Sequence, residues 1–220
     1  MDDQRKLARA IVDGGDHHEI VAHLTRLLRA SESENLTAMW HPLGFINISL
    51  VWDSTWPGGD RPRIHVWHPE LSRPQFPQHV CHSHGWHLRS NVLHGRFVNE
   101  TYEVSSDPHG DHALFEVSYG DGVSRARSVD EAVSVELVRA DDLAAGASYE
   151  IGSNTFHWTR QVNDDLIVTA MNGSGLGGDA PPPRNARKKP CEPEYSYIRS
   201  SCSSADKKRL YGDIVDCLEI

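Results

Sequence analysis

Long apolar runs are missing from this chain. Nothing in it approaches the ~20 consecutive apolar residues that a membrane-crossing helix needs. Residues 1–15 carry scattered charges and no apolar core of a secretory signal. The expectation is a protein without a membrane partner, working in the cytoplasm. Cysteine is scarce: Cys81, Cys191, Cys202 and Cys217 form no CxxC pair. In a reducing compartment they read as free thiols, with a local disulfide or metal clip among the last three as the minor alternative. Positive charge is in deficit, with 22 Lys and Arg against 31 Asp and Glu and a net charge of −9. A phosphate backbone is repelled by such a surface, so no nucleic-acid partner is expected. No repeat of solenoid length is present.

What the chain does have is histidine, 14 in 220 residues, many between His65 and His112. Apolar residues at 38% and charged residues at 24% suit one globular domain with a sizeable core. Residues 3–13 and 16–31 read as helices separated by Gly14-Gly15, the second with Ile20, Val21, Leu24, Leu27 and Leu28 at helical spacing. Asp16 stands at its N-cap and Glu19 at the capping-box position. From Leu36 the texture becomes a succession of short β-rich runs broken by Gly, Pro, Asn and Asp. Expected strands are 36–40, 45–52, 63–67, 79–84, 90–98, 101–104, 113–119, 133–139, 148–151, 155–161 and 166–171. Many strands without intervening helices predict an antiparallel sandwich or barrel. Residues 173–220 read as a linker and loosely structured tail, with a solvated basic run at 184–189 and a short helix at 205–218. The domain plan is therefore helices at 1–35 packed on a β-barrel at 36–172, then the tail.

Spacing singles out some of the histidines. In a strand, residues two apart share a face, so His82 and His84 project together. Two imidazoles are too few to hold an ion, and His157, on a strand returning from the Gly152-Ser-Asn turn, is the candidate third ligand. The stretch His82-Ser-His84-Gly through Val92-Leu93-His94-Gly95 resembles the first cupin motif, and Gly146 through Gly152 to His157 resembles the second. The resemblance covers roughly residues 40–172. It implies an all-β cupin (double-stranded β-helix, jelly-roll) barrel with a metal on His82, His84 and His157. Leu88 stands where many cupins place a glutamate ligand, which leaves three histidines and open coordination positions. In that respect the site resembles the thiol dioxygenase branch, and the resemblance implies a mononuclear non-haem Fe(II) dioxygenase acting on a small organic substrate with dioxygen. The tyrosine and the carboxylate-binding arginine of cysteine dioxygenase have no evident counterparts. Two other functions stay open: a non-redox metallocupin using Zn, Ni or Mn, and a small-ligand-binding cupin without turnover. A homodimer is plausible by analogy with other cupins.

Further residues carry weaker signals. His87 is read as a fourth ligand, an acid/base or a surface residue. Tyr102 and Tyr149 are candidates for the pocket, where core filling is the bland alternative. Arg63 and Arg89, with Arg61, could pair with a substrate carboxylate, since guanidinium binds it bidentately. Of His65 and His68, which cannot share a face of a regular strand, one can line the cavity. Trp52, Trp67, Trp86, Phe156 and Trp158 read as core or cavity wall. His79 is out of phase with His82. The side chains of Ser83, Asn91, Ser153 and Thr155 are candidates for fixing the imidazoles.

Overall fold

The computed structural model describes residues 2–50, 60–73, 81–120, 122–175 and 181–219. The expectations for Trp52 and His79, and parts of the strands at 45–52 and 79–84, fall outside those residues. Helices α1 (Asp2–Asp13) and α2 (His17–Arg29) form where the apolar spacing places them. The Asp16 side chain accepts the Glu19 N–H at 2.8 Å, which satisfies one of the donors left open at the start of α2. Helix α3 (Ser204–Leu218) has a full capping box between Ser203 and Asp206.

Among the described residues the strands form two antiparallel sheets. The first runs in the order β1 (Thr37–Trp40), β2 (Ile46–Ser49), β3 (Arg61–Trp67), β11 (Ile167–Ser174), β5 (His87–His94), β9 (Ser148–Ile151). The second runs β13 (Glu194–Ile198), β8 (Val123–Ala144), β6 (Arg96–Ser106), β10 (Phe156–Gln161), β4 (His82–Ser83), β12 (Arg184–Lys188), β7 (His112–Gly120), and β7 also pairs with β8. The chain crosses from one sheet to the other at β3–β4, β4–β5, β5–β6, β8–β9, β9–β10, β10–β11 and β11–β12. This alternation gives β3-β11-β5-β9 facing β4-β10-β6-β8, a jelly-roll barrel.

Period-two alternation sorts the first sheet into two faces. Ile46, Ile48, Ile64, Val66, Leu93, Val168 and Ala170 point outward and are buried against Leu7, Ile11, Leu24 and Leu27 of the N-terminal helices and Leu210 and Ile214 of α3. Burying such side chains stabilises by roughly 1.5–3 kcal/mol each relative to exposure, which fixes the register of the whole sheet. The residues between them, Asn47, Arg63, His65, Trp67 and Leu88, point inward and line a cavity. His68, just past β3, ties the helix layer to the barrel: its Nε2 bonds Asp213 of α3 at 2.8 Å, while its Nδ1 accepts the Glu70 and Leu71 N–H groups.

Three expectations are corrected. The run at 90–98 is two strands, because Gly95, with φ of +83°, carries the chain from one sheet to the other. A Cβ on Gly95 would lie 2.5 Å from the Leu166 carbonyl oxygen, so no other residue fits there. The strand at 133–139 belongs to a 22-residue strand, β8, whose alternating apolar signal is lost where its outer half is exposed. The third correction concerns the tail. Residues 184–188 are a strand hydrogen-bonded between β4 and β7, residues 194–198 pair with β8, and α3 closes the outer core. The basic run is thus integral to the second sheet, with Arg187 buried and its guanidinium 3.6 Å from the Tyr195 ring centroid. The four cysteines are free thiols, Cys81 and Cys202 buried. Among the described residues no helix is long and apolar enough to cross a membrane.

Candidate functional site

Strand pairing brings the three histidines together. In the second sheet His157 of β10 is directly opposite His82 of β4, and on their far sides stand Thr101 of β6 and Asn185 of β12. Directly paired residues share a face, so the two imidazoles meet inside the barrel with ring centroids 4.3 Å apart. His84 follows just past β4. Its carbonyl accepts the Asn154 N–H at 2.8 Å, which docks the β9–β10 turn onto the β4 end. Asn154 adopts φ of +62° there, a conformation its side chain tolerates better than most. The His84 ring is 4.9 Å from that of His157 and 6.4 Å from that of His82.

Backbone carbonyls, and not the side chains of Ser83, Asn91, Ser153 or Thr155, orient two of these rings. His84 Nδ1 donates to the Trp86 carbonyl at 2.8 Å, and His157 Nδ1 donates to the Thr155 carbonyl at 3.0 Å. Each ring then presents its Nε2 lone pair. Trp86 stacks flat on His84, with centroids 3.8 Å apart and planes 9° from parallel. Burial lowers the His84 pKa to about 4, with the nearby His82 adding to the effect, and holds His157 well below the usual histidine range for the same two reasons. Both rings are neutral at physiological pH. The Nε2 of His84 is buried and has no hydrogen-bond partner among the described residues.

Neutral imidazoles with carbonyl-fixed Nδ1–H groups and a buried, unsatisfied lone pair are the donor chemistry of a divalent transition-metal site. Rings that reach one ion at about 2 Å stand with centroids roughly 4.5–5 Å apart. The His84–His157 separation, 4.9 Å, falls in that range, and His82–His157, 4.3 Å, is slightly shorter. The His82–His84 separation is wider, and among the described residues no group of three or more His, Cys, Asp or Glu side chains is arranged to hold an ion as it stands. The donor set fits a metal in kind, and closure of the His82–His84 gap is what assembly of the site requires.

The histidines open into a cavity of about 170 Å³ walled by Phe45, Trp67, Trp86, Leu88, Tyr149 and Ile151. This is close to the roughly 150 Å³ of an engineered cavity that takes up benzene. Trp86, Arg63 and Tyr149, three of the candidate substrate-binding residues, are in its lining. Burial pushes the Tyr149 phenol up to about 12, so it is a hydrogen-bond donor at neutral pH. His65 is the member of its pair that lines the cavity, and burial lowers it to about 3.

Three other residues are elsewhere. Leu88 faces inward, so its neighbours on β5, His87 and Arg89, face outward. His87 is 43% exposed and 3.5 Å from Glu150, which removes it from ligand or acid/base work at this site. Arg89 donates to the Ile11 and Val12 carbonyls at 3.0 and 2.5 Å, completing the C-terminal end of α1. Tyr102 faces a separate cluster with Cys81, Leu114 and Val133 and donates to Glu100 at 2.5 Å. Burial alone would raise the Glu100 carboxyl; the bonds from Tyr102 and Arg160 outweigh it and hold the carboxyl below its ordinary value.

The sequence reading missed His41, Asn47, Asn185, Tyr119, Tyr197 and Arg199, all of which line the cavity. Asn185, Tyr197 and Arg199 lie in the segment read as a tail. A signal was present in Gly85: a Cβ there would lie 2.2 Å from the Pro181 carbonyl oxygen, so this glycine marks the return of the late chain over the histidine strand.

Strand order and the inward-facing histidines define the class, an all-β jelly-roll barrel of the kind seen in cupins, lectin domains and viral capsids. No family model and no curated protein matches the sequence. Solved structures with a similar backbone include a Cupin 2 conserved barrel domain protein from Salinispora arenicola CNS-205, at 11% identity over 60% of this chain and 76% of that one, TM-score 0.32. They also include vicilin from Solanum lycopersicum (8% identity, 76% of this chain and 35% of that one, TM-score 0.39) and the coconut allergen cocosin (10%, 74% and 36%, TM-score 0.36). The chain spans about a third of the length of these last two proteins. At such identities the likeness concerns the path of the backbone, and the fold class stands on the strand order.

Proposed function

We propose that this protein is a metal-dependent enzyme of the cupin type that holds one divalent ion on His82, His84 and His157 and acts on a small organic molecule. Ferrous iron with dioxygen as co-substrate is the leading assignment, and Zn, Ni or Mn is the alternative. The observation that carries the reading is the His84 Nε2. It is buried and without a hydrogen-bond partner among the described residues, on a ring whose low pKa keeps it unprotonated at neutral pH. A divalent cation satisfies such a lone pair, as does a donor hydroxyl of a bound ligand, and the two neighbouring imidazoles favour the cation.

The chain's own contributions follow from the geometry. The carbonyls of Trp86 and Thr155 hold the His84 and His157 tautomers. The Trp86 indole limits rotation of His84, and Phe45, Trp67, Leu88 and Ile151 form an apolar stretch of the cavity wall. A bound ferrous ion would supply the redox step with dioxygen, and Zn, Ni or Mn would supply Lewis acidity.

Anaerobic loading of the whole chain with Fe(II), followed by metal analysis and oxygen uptake with small organic acids and thiols, tests the proposal. Near-stoichiometric iron is expected in the wild type and in His87→Ala. It should be lost in His82→Ala, His84→Ala and His157→Ala. A second reading, a pocket that binds a ligand without turnover, is favoured by the 6.4 Å separation of the His82 and His84 rings. It prevails if the wild-type chain takes up neither iron nor zinc, nickel or manganese.

A further inference from the structure

We propose that the cavity takes a small organic carboxylate, its anionic group gripped between Arg63 and Arg199 and its remainder lying along the aromatic wall toward His84. The inference rests on reading the cavity as a ligand site, but not on the metal. Its first support is a charge imbalance. In a chain of net charge −9, none of the described residues lining the cavity is Asp or Glu, while two are arginine.

Both arginines are held in place by the fold. Arg63 is on β3, a strand bonded on both sides, opposite Ser49 of β2 and Met171 of β11. It lies on the inward face between the outward-facing Pro62 and Ile64, and it makes no ion pair with a described residue. Arg199 follows β13. Its Nε donates to Ser124 at 2.9 Å and its guanidinium lies over Tyr119, 4.7 Å from the ring centroid. It too lacks a carboxylate partner among the described residues. Tyr119 is 59% exposed, which puts Arg199, lying over its ring, at the cavity mouth.

The two cations act on each other and on the histidines. Burial lowers Arg63 to about 10, and the charges of Arg61 and Arg199 add to the effect. His41, also in the cavity lining, is held well below the usual histidine range by burial and by Arg199, His65, His82 and Arg63. Two unneutralised guanidinium groups in a partly dehydrated cavity repel each other until an anion sits between them, and a planar carboxylate matches the guanidinium fork. The cavity volume of about 170 Å³ restricts the ligand to a molecule the size of a short-chain or single-ring acid.

The test uses the full chain, stripped of metal with a chelator, and follows tryptophan fluorescence, since Trp67, Trp86 and Trp158 line the cavity. Propionate and benzoate are titrated beside propionamide and benzamide, which match them in shape but carry no charge, and beside inorganic phosphate. At least one acid should bind tenfold or more tightly than its amide. Arg63→Gln and Arg199→Gln should each abolish that preference, Arg63→Lys and Arg199→Lys should weaken it, and Arg139→Gln, on an exposed strand, should leave it intact. Equal binding of acid and amide, phosphate binding alone, no saturable binding of any probe, or a preference that survives both glutamine variants overturns the inference. Persistence of the preference in His84→Ala separates the two proposals. The metal reading can then fail while this one holds, and a chain that takes up iron without preferring acids to amides sinks this one alone.

Discussion

A single imidazole in the cavity wall carries a measurable signature. His65 lies between Phe45 and Trp67, with ring centroids 4.6 and 6.1 Å away, and burial lowers its pKa to about 3. An unfolded chain binds a proton on this side chain near pH 6.5, the folded chain only near 3. Between those values the unfolded state holds more protons, so the stability His65 contributes is complete above about pH 6.5 and is lost as pH falls toward 3. Thermal unfolding followed from pH 7 to pH 4 should show a steep fall in Tm, and His65→Gln should flatten it. An unchanged slope in the variant would contradict the assignment. Gly173 tests the histidine–tryptophan stack in the same way. A Cβ there would lie 2.9 Å from the Trp86 ring, so Gly173→Ala must displace the indole that covers His84. The overpacking should cost about 1–3 kcal/mol in urea unfolding, and Trp86 fluorescence should shift with it.

At the scale of elements, the outer face of the first sheet decides whether the barrel holds its shape. Arg89 is the joint between β5 and α1: α1 has no basic residue in its own last turn, and the guanidinium supplies the missing donors to two terminal carbonyls. Arg89→Gln should lower stability by roughly 1.5–3 kcal/mol, the range for hydrogen bonds to a charged group, as read from the urea midpoint. Ligand binding should be unchanged, because Arg89 faces away from the cavity. A loss of carboxylate binding in a folded Arg89→Gln protein would return this residue to the pocket. The same period-two rule that turns His87 and Arg89 away from the cavity also explains why His65 faces it while Ile64 and Val66 on either side are core.

For the whole molecule, the last 45 residues are the main surprise. Without β12 the two-residue strand β4, which carries His82, would lose one of its two neighbours. Without α3 the outer core would lose Leu210, Tyr211, Ile214 and Val215. A chain ending at Gly175 should therefore fail to unfold cooperatively, or fail to stay in solution, when examined by circular dichroism during heating. A truncated protein with wild-type Tm would show that the late segment is dispensable after all. The helices, most of the strands and the His82, His84 and His157 set were legible because each rests on local periodicity or on a short motif. The tail was misread because its Pro-, Gly- and Lys-rich composition carries no such periodicity. Its strands exist because β4, β7 and β8 offer unpaired backbone groups that it satisfies.

Local pattern in the sequence determined which segments could be helix or strand, and which histidines could share a face, since those depend on spacing along one stretch of chain. Only the tertiary structure decided that His157 stands opposite His82, that Arg199 reaches the cavity while Arg89 leaves it, and that the final strands complete a sheet. Those facts depend on which distant strands pair and with what register. Register is fixed by the burial of an entire face at once, a property of many residues that no single stretch contains.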